Sequence, residues 1–221
     1  MSIQDIVTAR GIGEVVHFTT NHGCLGTLYA QKLLSRAKLQ EDEMVQYLFA
    51  ANAELRRDTA YLDHISLSVE HINTQFFNVS AGKWHRDEPI FWCILAFDPS
   101  VLSHEGVVFA TTNNIYSSVK RGMGEGAFEK LFSERVSRWH GNVVTRHATV
   151  PPNYPTCFQA EALYPSELST EYLRHIYVKT GADQSEVVGF LKATFHRDVD
   201  VIVCPEKFEE RSECYGPQKT K

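Results

Sequence analysis

Apolar and polar positions along the chain change period several times, and each change predicts an element. Residues 14–19 read as a strand carrying His17, set between turns at 11–13 and 21–23. Leu25, Leu28, Tyr29, Leu33 and Leu34 follow the spacing of one helical face and predict a helix over 25–36. Met44, Tyr47, Leu48, Ala51 and Leu55 do the same for 41–57, a helix with acids at its start and Arg56-Arg57-Asp58 at its end. Ile65, Leu67 and Val69 alternate with Ser66 and Ser68, the mark of a half-buried strand over 64–69. Residues 71–87 are polar with scattered aromatics (Phe76, Phe77, Trp84) and read as loop. Residues 90–97 are apolar throughout, a fully buried strand closed by Asp98-Pro99-Ser100.

Farther on, 106–110 is a short strand and 111–126 a polar connection containing a glycine cluster, Gly122-Met123-Gly124-Glu125-Gly126. Without a following Lys-Ser/Thr pair, that cluster reads as a link rather than a phosphate cradle. Phe128, Leu131, Phe132 and Val136 predict a helix over 127–139. Pro151, Pro152 and Pro155 then enforce an extended approach to the apolar octet Cys157 to Tyr164, read as a buried strand with Gln159 and Glu161 on one face. Strands at 174–179 and 199–204 flank a helix at 184–195, and the tail after 207 is polar. The sum is an α+β fold with helices grouped early, about seven short strands, and two small sheets clasping a cleft.

The chain has 221 residues, 43% of them apolar, which suits a single domain spanning 1–221 with its core over about 13–205. No apolar run has membrane-spanning length, and the N-terminus lacks the basic start and apolar run of a signal peptide, so a cytoplasmic protein is expected. Five cysteines, odd in number and widely spaced, suggest neither a disulfide framework nor a zinc site, and the ten histidines show no metal-ligand spacing. No metal is expected. The net charge of −5 offers no general attraction to nucleic acid. Charge is uneven, however. No Asp or Glu occurs from 135 to 160, where Arg135, Arg138, Arg146, His140 and His147 lie among Trp139 and Tyr154, a basic and aromatic segment that could carry a single strand or simply be a solvated surface.

A carboxylate in an apolar octet is costly without a partner or a task. Glu161 alone fits an ion-paired strand residue as well as a catalytic one, and His17 alone fits a satisfied core histidine. Taken together, His17-Phe18-Thr19, then Gly26 and Leu33-Leu34-Ser35-Arg36, then Arg56-Arg57, then Gln159-Ala160-Glu161, resemble in order and spacing the DarT family of toxins that ADP-ribosylate bases of single-stranded DNA. The resemblance covers about residues 13–205. It implies an ADP-ribosyltransferase fold with NAD as co-substrate. Glu161 and Arg57 would be catalytic, with His17, Phe18, Thr19, Gly26, Leu34 and Arg57 around NAD. The acceptor strand would run over Arg135, Arg138, Trp139, Arg146, His147 and Tyr154. An antitoxin that removes ADP-ribose, a macrodomain or similar hydrolase, is the implied partner. The segment from His64 to Asn73 lacks the Asn-Pro-Arg-Ser-Pro-Met type loop of thymine-modifying members, so guanine is the expected base. Rival readings keep the enzyme but move the acceptor to RNA or protein, or keep the fold as a binding module without turnover.

Overall fold

The computed structural model describes residues 1–41, 60–86, 88–139 and 142–211. The helix expected over 41–57, with Arg56 and Arg57, lies outside them, as do His140 and Cys214. The elements run α1 (Ile3–Arg10), β1 (Val15–Thr20), α2 (Asn21–Ala30), β2 (Lys32–Leu34), α3 (Arg36–Glu41) and β3 (His64–Val69). They continue with α4 (Thr74–Val79, extended by a π turn over Ser80–Trp84), β4 (Trp92–Phe97), β5 (Val108–Ala110), β6 (Arg121–Gly122) and α5 (Glu125–Glu129). Then come β7 (Arg135–Ser137), β8 (Val143–Thr145), β9 (Glu161–Pro165), β10 (Glu167–Ser169), β11 (Leu173–Val178), α6 (Gly181–Ala193) and β12 (Asp200–Val203).

Eight strands form one array in the order β12-β11-β4-β1-β3-β9-β5-β6. The two sheets expected are its two halves. β4, with all six residues buried, pairs with β1 along the full length of both strands. β3 pairs with β9 over four residue pairs. Between the halves, the β1–β3 ladder lasts only two pairs, Val15 with Val69 and Val16 with Ser68. From His17 onward the two strands separate, and that divergence opens the cleft.

One face of the array packs the larger core, including Leu28, Leu67, Leu95 and Phe97, all almost fully excluded from solvent. The opposite face carries a smaller core of Val16, Ile72, Phe77, Trp92 and Ile94, with Phe18 packed against it.

Several local expectations change. The helix expected over 25–36 is instead α2, which begins earlier, capped by the Thr20 hydroxyl, and ends where Gln31 turns left-handed at φ 53°. Leu33 and Leu34 then join β2, paired with β10, so Leu33 is buried opposite Leu168 rather than on a helical face. Within the stretch expected to be loop, residues 74–84 are helical, with Asn73 capping α4 through Phe76 N–H. The helix expected over 127–139 stops at Phe132, because Ser133 is extended (φ −55°, ψ 148°), and Val136 is buried on a strand between exposed Arg135 and Ser137. The apolar octet splits as well. Cys157 to Ala160 form a turn closed by Ala160 N–H on the Cys157 carbonyl, and the strand begins at Glu161.

Where the half-sheets are still joined, charged groups are packed together. Glu14 accepts from the Tyr177 hydroxyl at 2.9 Å and from Lys207, and Lys207 also donates to the Glu70 carbonyl. Glu70, just past β3 in the left-handed region at φ 66°, accepts the Gly13 N–H. Burial pushes the Glu70 carboxyl up, more than the Gly13 and Asn153 hydrogen bonds pull it down. Because its folded value lies above the unfolded one, Glu70 contributes stability at low pH that is lost as pH rises through the unfolded and then the folded value. Glu70→Gln should therefore gain stability relative to wild type as pH rises above the ordinary glutamate value. Urea unfolding at a series of pH values measures this; a difference independent of pH would show that Glu70 does not titrate abnormally.

Candidate active site

The cleft between the diverging strands encloses about 1210 Å³, its open mouth included. Its floor is built around Ser66. Alternation along β3 turns Ile65, Leu67 and Val69 into the larger core and leaves Ser66 and Ser68 on the other face. Ser66 pairs with Leu163, so Glu161, two residues before Leu163 on β9, projects from the same face. The Ser66 hydroxyl donates to Glu161 Oε1 at 2.6 Å, and the Asn114 backbone N–H donates to Oε2 at 2.6 Å. One short donor on each oxygen satisfies an ionised carboxylate that is only 6% exposed. Burial without such partners would cost several kcal/mol.

Across the gap, His17 Nδ1 lies 2.9 Å from the Ser66 backbone carbonyl. A carbonyl only accepts, so Nδ1 carries the proton and Nε2 is the acceptor of the neutral ring. Ser66 thus holds both sequence-predicted residues, His17 by its carbonyl and Glu161 by its hydroxyl. Phe18 forms a wall, with Phe76 and Phe77 each 5.5 Å away between ring centroids and Trp92 at 5.8 Å. Thr19 also lines the cleft. It is the reason residue 23 is glycine: a Cβ there would stand 2.0 Å from the Thr19 hydroxyl oxygen.

Leu34, Ser35 and Arg36 also line the cleft. Gly26 is buried inside α2 and is not among the residues that line it. Arg57 lies outside the described residues.

The basic segment divides. Arg146 turns inward, donating to the carbonyls of Tyr154 (2.9 Å) and Pro151 (2.7 Å) and to the Thr156 hydroxyl. Tyr154 is buried, and its hydroxyl accepts from Arg211. Those two hold the proline-rich approach to β9 together. Arg135 and His147 are exposed. Arg138 donates to Gln159 Oε1 at 2.7 Å, which ties the segment to the turn before Glu161. Trp139 is 57% exposed and lies parallel to Tyr116 at 6.0 Å and 8°.

Sequence reasoning missed Ser66, Asn114 and Tyr61 as cleft residues. The alternation along 64–69 already placed Ser66 on the polar face, and it was the one usable signal. Asn114 acts through its backbone N–H, which no side-chain pattern reveals. Tyr61, at φ 58°, is set by backbone geometry.

The geometry makes one prediction free of any assay of activity. Neutral His17 should be the Nδ1–H tautomer, visible in ¹⁵N–¹H correlation spectra of the imidazole. An Nε2–H tautomer would break the link between the half-sheets as described.

The model of a family described as "DarT: ssDNA thymidine ADP-ribosyltransferase, DarT" matches residues 16–209. No curated protein matches the chain in sequence. Among solved structures, the fold is similar to Thermus sp. 2.9 DarT in complex with carba-NAD+ (TM-score 0.61, 17% identity, 90% of this chain and 98% of that one). It is similar also to the same protein in complex with ADP-ribosylated ssDNA (TM-score 0.63, 17% identity, 90% and 97%). A third similar structure is Thermosipho africanus DarTG in complex with ADP-ribose (TM-score 0.58, 15% identity), where this chain covers 51% of the longer chain. The resemblance read from His17-Phe18-Thr19 and Gln159-Ala160-Glu161 is borne out at the level of the family. With a match across most of its length, the chain belongs to the DarT family of ADP-ribosyltransferases.

Proposed function

We propose that this chain is an NAD-dependent mono-ADP-ribosyltransferase that modifies guanine in single-stranded DNA and acts in the cytoplasm as the toxin of a toxin–antitoxin pair. The observation that carries the reading is the Glu161 carboxylate, held by Ser66 and Asn114 on the cleft floor beside His17. Cleaving the bond between nicotinamide and ribose develops positive charge on the ribose, as in glycoside transfer. A fixed carboxylate next to that ribose stabilises the charge and can hold a ribose hydroxyl. Because Ser66 and Asn114 already orient Glu161, little reorganisation is needed as the charge appears.

His17 presents an acceptor nitrogen to the ribose, since its Nδ1–H is committed to Ser66. Thr19 and the backbone near Phe18 suit the nicotinamide amide. Leu34 and Arg36, on the far side of the cleft, suit the remainder of the dinucleotide, with Arg36 as a cation for its phosphates. Arg57 orients the incoming base electrostatically, since a guanidinium does not give up its proton.

The single strand approaches over Arg135, Arg138, Trp139 and His147, with Trp139 offering a face to a base. Guanine is favoured because the segment 64–73 forms the Ser66-bearing strand and the Asn73 cap of α4, without the proline-rich loop of thymine-modifying members. The partner is an antitoxin that removes ADP-ribose. Support for a longer toxin–antitoxin context comes from the likeness to Thermosipho africanus DarTG.

The test incubates the protein with NAD and DNA or RNA oligomers that each lack one base, and weighs the products. One ADP-ribose unit should appear on DNA strands only when guanine is present. Adducts that depend on thymine would replace guanine as the acceptor, and adducts on RNA alone would move the acceptor class. No adduct with NAD intact would leave only a binding module.

Ser66→Ala should lower turnover about tenfold or more, because it strips a hydrogen bond from a charged group while leaving the carbonyl that holds His17. The rate of nicotinamide release checks this; a wild-type rate would remove Ser66 from the site.

A further inference from the structure

Glu161, Ala110 and Arg121 lie in one row across three neighbouring strands. Ala110 on β5 pairs with Glu161 of β9 on one side and with Arg121 of β6 on the other. Directly paired residues project from the same face, so the carboxylate and the guanidinium stand on one face, two strand spacings or about 10 Å apart. The guanidinium is turned to the connection between β5 and β6 instead of along the row. The connection from β5 to β6 closes the distance. It folds over the row so that the Asn114 N–H reaches Glu161 Oε2 at 2.6 Å. Asn114 is then gripped from the other side. Arg121 Nε donates to its side-chain oxygen, and Arg121 Nη2 donates to its backbone carbonyl.

Resting on the transferase reading above, we propose that Arg121 is a positioning residue for the reaction, acting on Glu161 through the Asn114 backbone. The two-point grip fixes the Asn114 side chain and the carbonyl of the peptide that follows it, both joined to the same Cα as the N–H that reaches Glu161, and a guanidinium fork is suited to span two oxygens in that way. Asn114 is itself 5% exposed; the peptide that carries its N–H is held at the other end, where the Asn113 carbonyl accepts from Tyr116 N–H at 3.2 Å, and Arg121 holds the Asn114 side of the turn. Arg121 also lies over the Tyr61 ring, 5.8 Å from its centroid. Tyr61 lines the cleft in a left-handed conformation, so one side chain braces both the floor and a wall. Losing the Asn114 donor removes one hydrogen bond to the charged form of Glu161, which makes the carboxylate less favourable relative to the protonated acid.

The experiment uses Arg121→Gln in the full chain, with Arg121→Lys as the second variant should the first fail to fold. Nicotinamide release is measured against NAD concentration and pH, and the Glu161 carboxyl is followed by ¹³C NMR, its resonance assigned with Glu161→Gln. For Arg121→Gln, kcat should fall about tenfold with KM for NAD changed less than about twofold. The acid limb of kcat and the carboxyl titration should both move upward by about one pH unit. Arg121→Lys, which keeps the charge but not the fork, should move them in the same direction. Unchanged kcat and unchanged titration would overturn the proposal, and so would a raised KM with kcat intact, which would make Arg121 a contact to NAD. The titration needs no turnover. A wild-type chain that releases no nicotinamide would therefore sink the transferase reading, while the NMR still decides the role of Arg121.

Discussion

Everything at the cleft depends on how briefly β1 and β3 stay paired. Two residue pairs join the half-sheets, and beyond them a side-chain hydrogen bond, His17 Nδ1–H to the Ser66 carbonyl, spans the gap. A continuous ladder would close the space; a complete break would leave the halves unregistered. That bond and the one from the Ser66 hydroxyl keep His17 and Glu161 on either side of Ser66 while leaving room for a ligand. At the joined end, Glu14, Glu70, Lys207 and Tyr177 hold the halves together through buried charged contacts. Such contacts fix geometry more than they add stability, because desolvation offsets much of their Coulomb gain.

Local conformational cost gathers at the same place. β3 is bracketed by two non-glycine residues in the left-handed region, Tyr61 at φ 58° and Glu70 at φ 66°. Each costs on the order of 1 kcal/mol. One lines the cleft and the other lets the chain leave β3 so that Glu70 N–H reaches the Glu14 carbonyl. The surrounding packing holds both, and the site inherits its rigidity from that packing rather than from local preference.

Much of this was legible from the residues. The strands at 64–69 and 90–97 stand within two residues of where their patterns put them, because alternation and continuous burial are strong signals. His17 and Glu161, far apart in sequence, both bond to Ser66. The failures share a cause. Leu33-Leu34, Val136 and Gln159 lie on apolar runs whose period is too short to separate helix, strand and turn, and long-range pairing decided each. Leu33 went to a strand because Leu168 was there to meet it. Gln159 left the strand because its amide is used by Arg138, Tyr116 and Gln75 in the turn. Asn114 was invisible because its contribution is a backbone N–H. Composition does not separate the members of the basic segment: Arg146 spends its donors on its own loop, while Arg135 and His147 stand exposed.

The central claim is that a carboxylate fixed at the root of this divergence drives cleavage of NAD. The most direct measurement is nicotinamide release by wild type and by Glu161→Gln, with thermal unfolding recorded for both. Glutamine keeps the size; its side-chain oxygen can accept the Asn114 N–H while its NH2 donates to the Ser66 hydroxyl oxygen, so the fold should persist. The account predicts that release falls about a thousandfold or more in the variant, the scale expected when a charge-stabilising group is removed from a preorganised site. A variant that releases nicotinamide at the wild-type rate would contradict it.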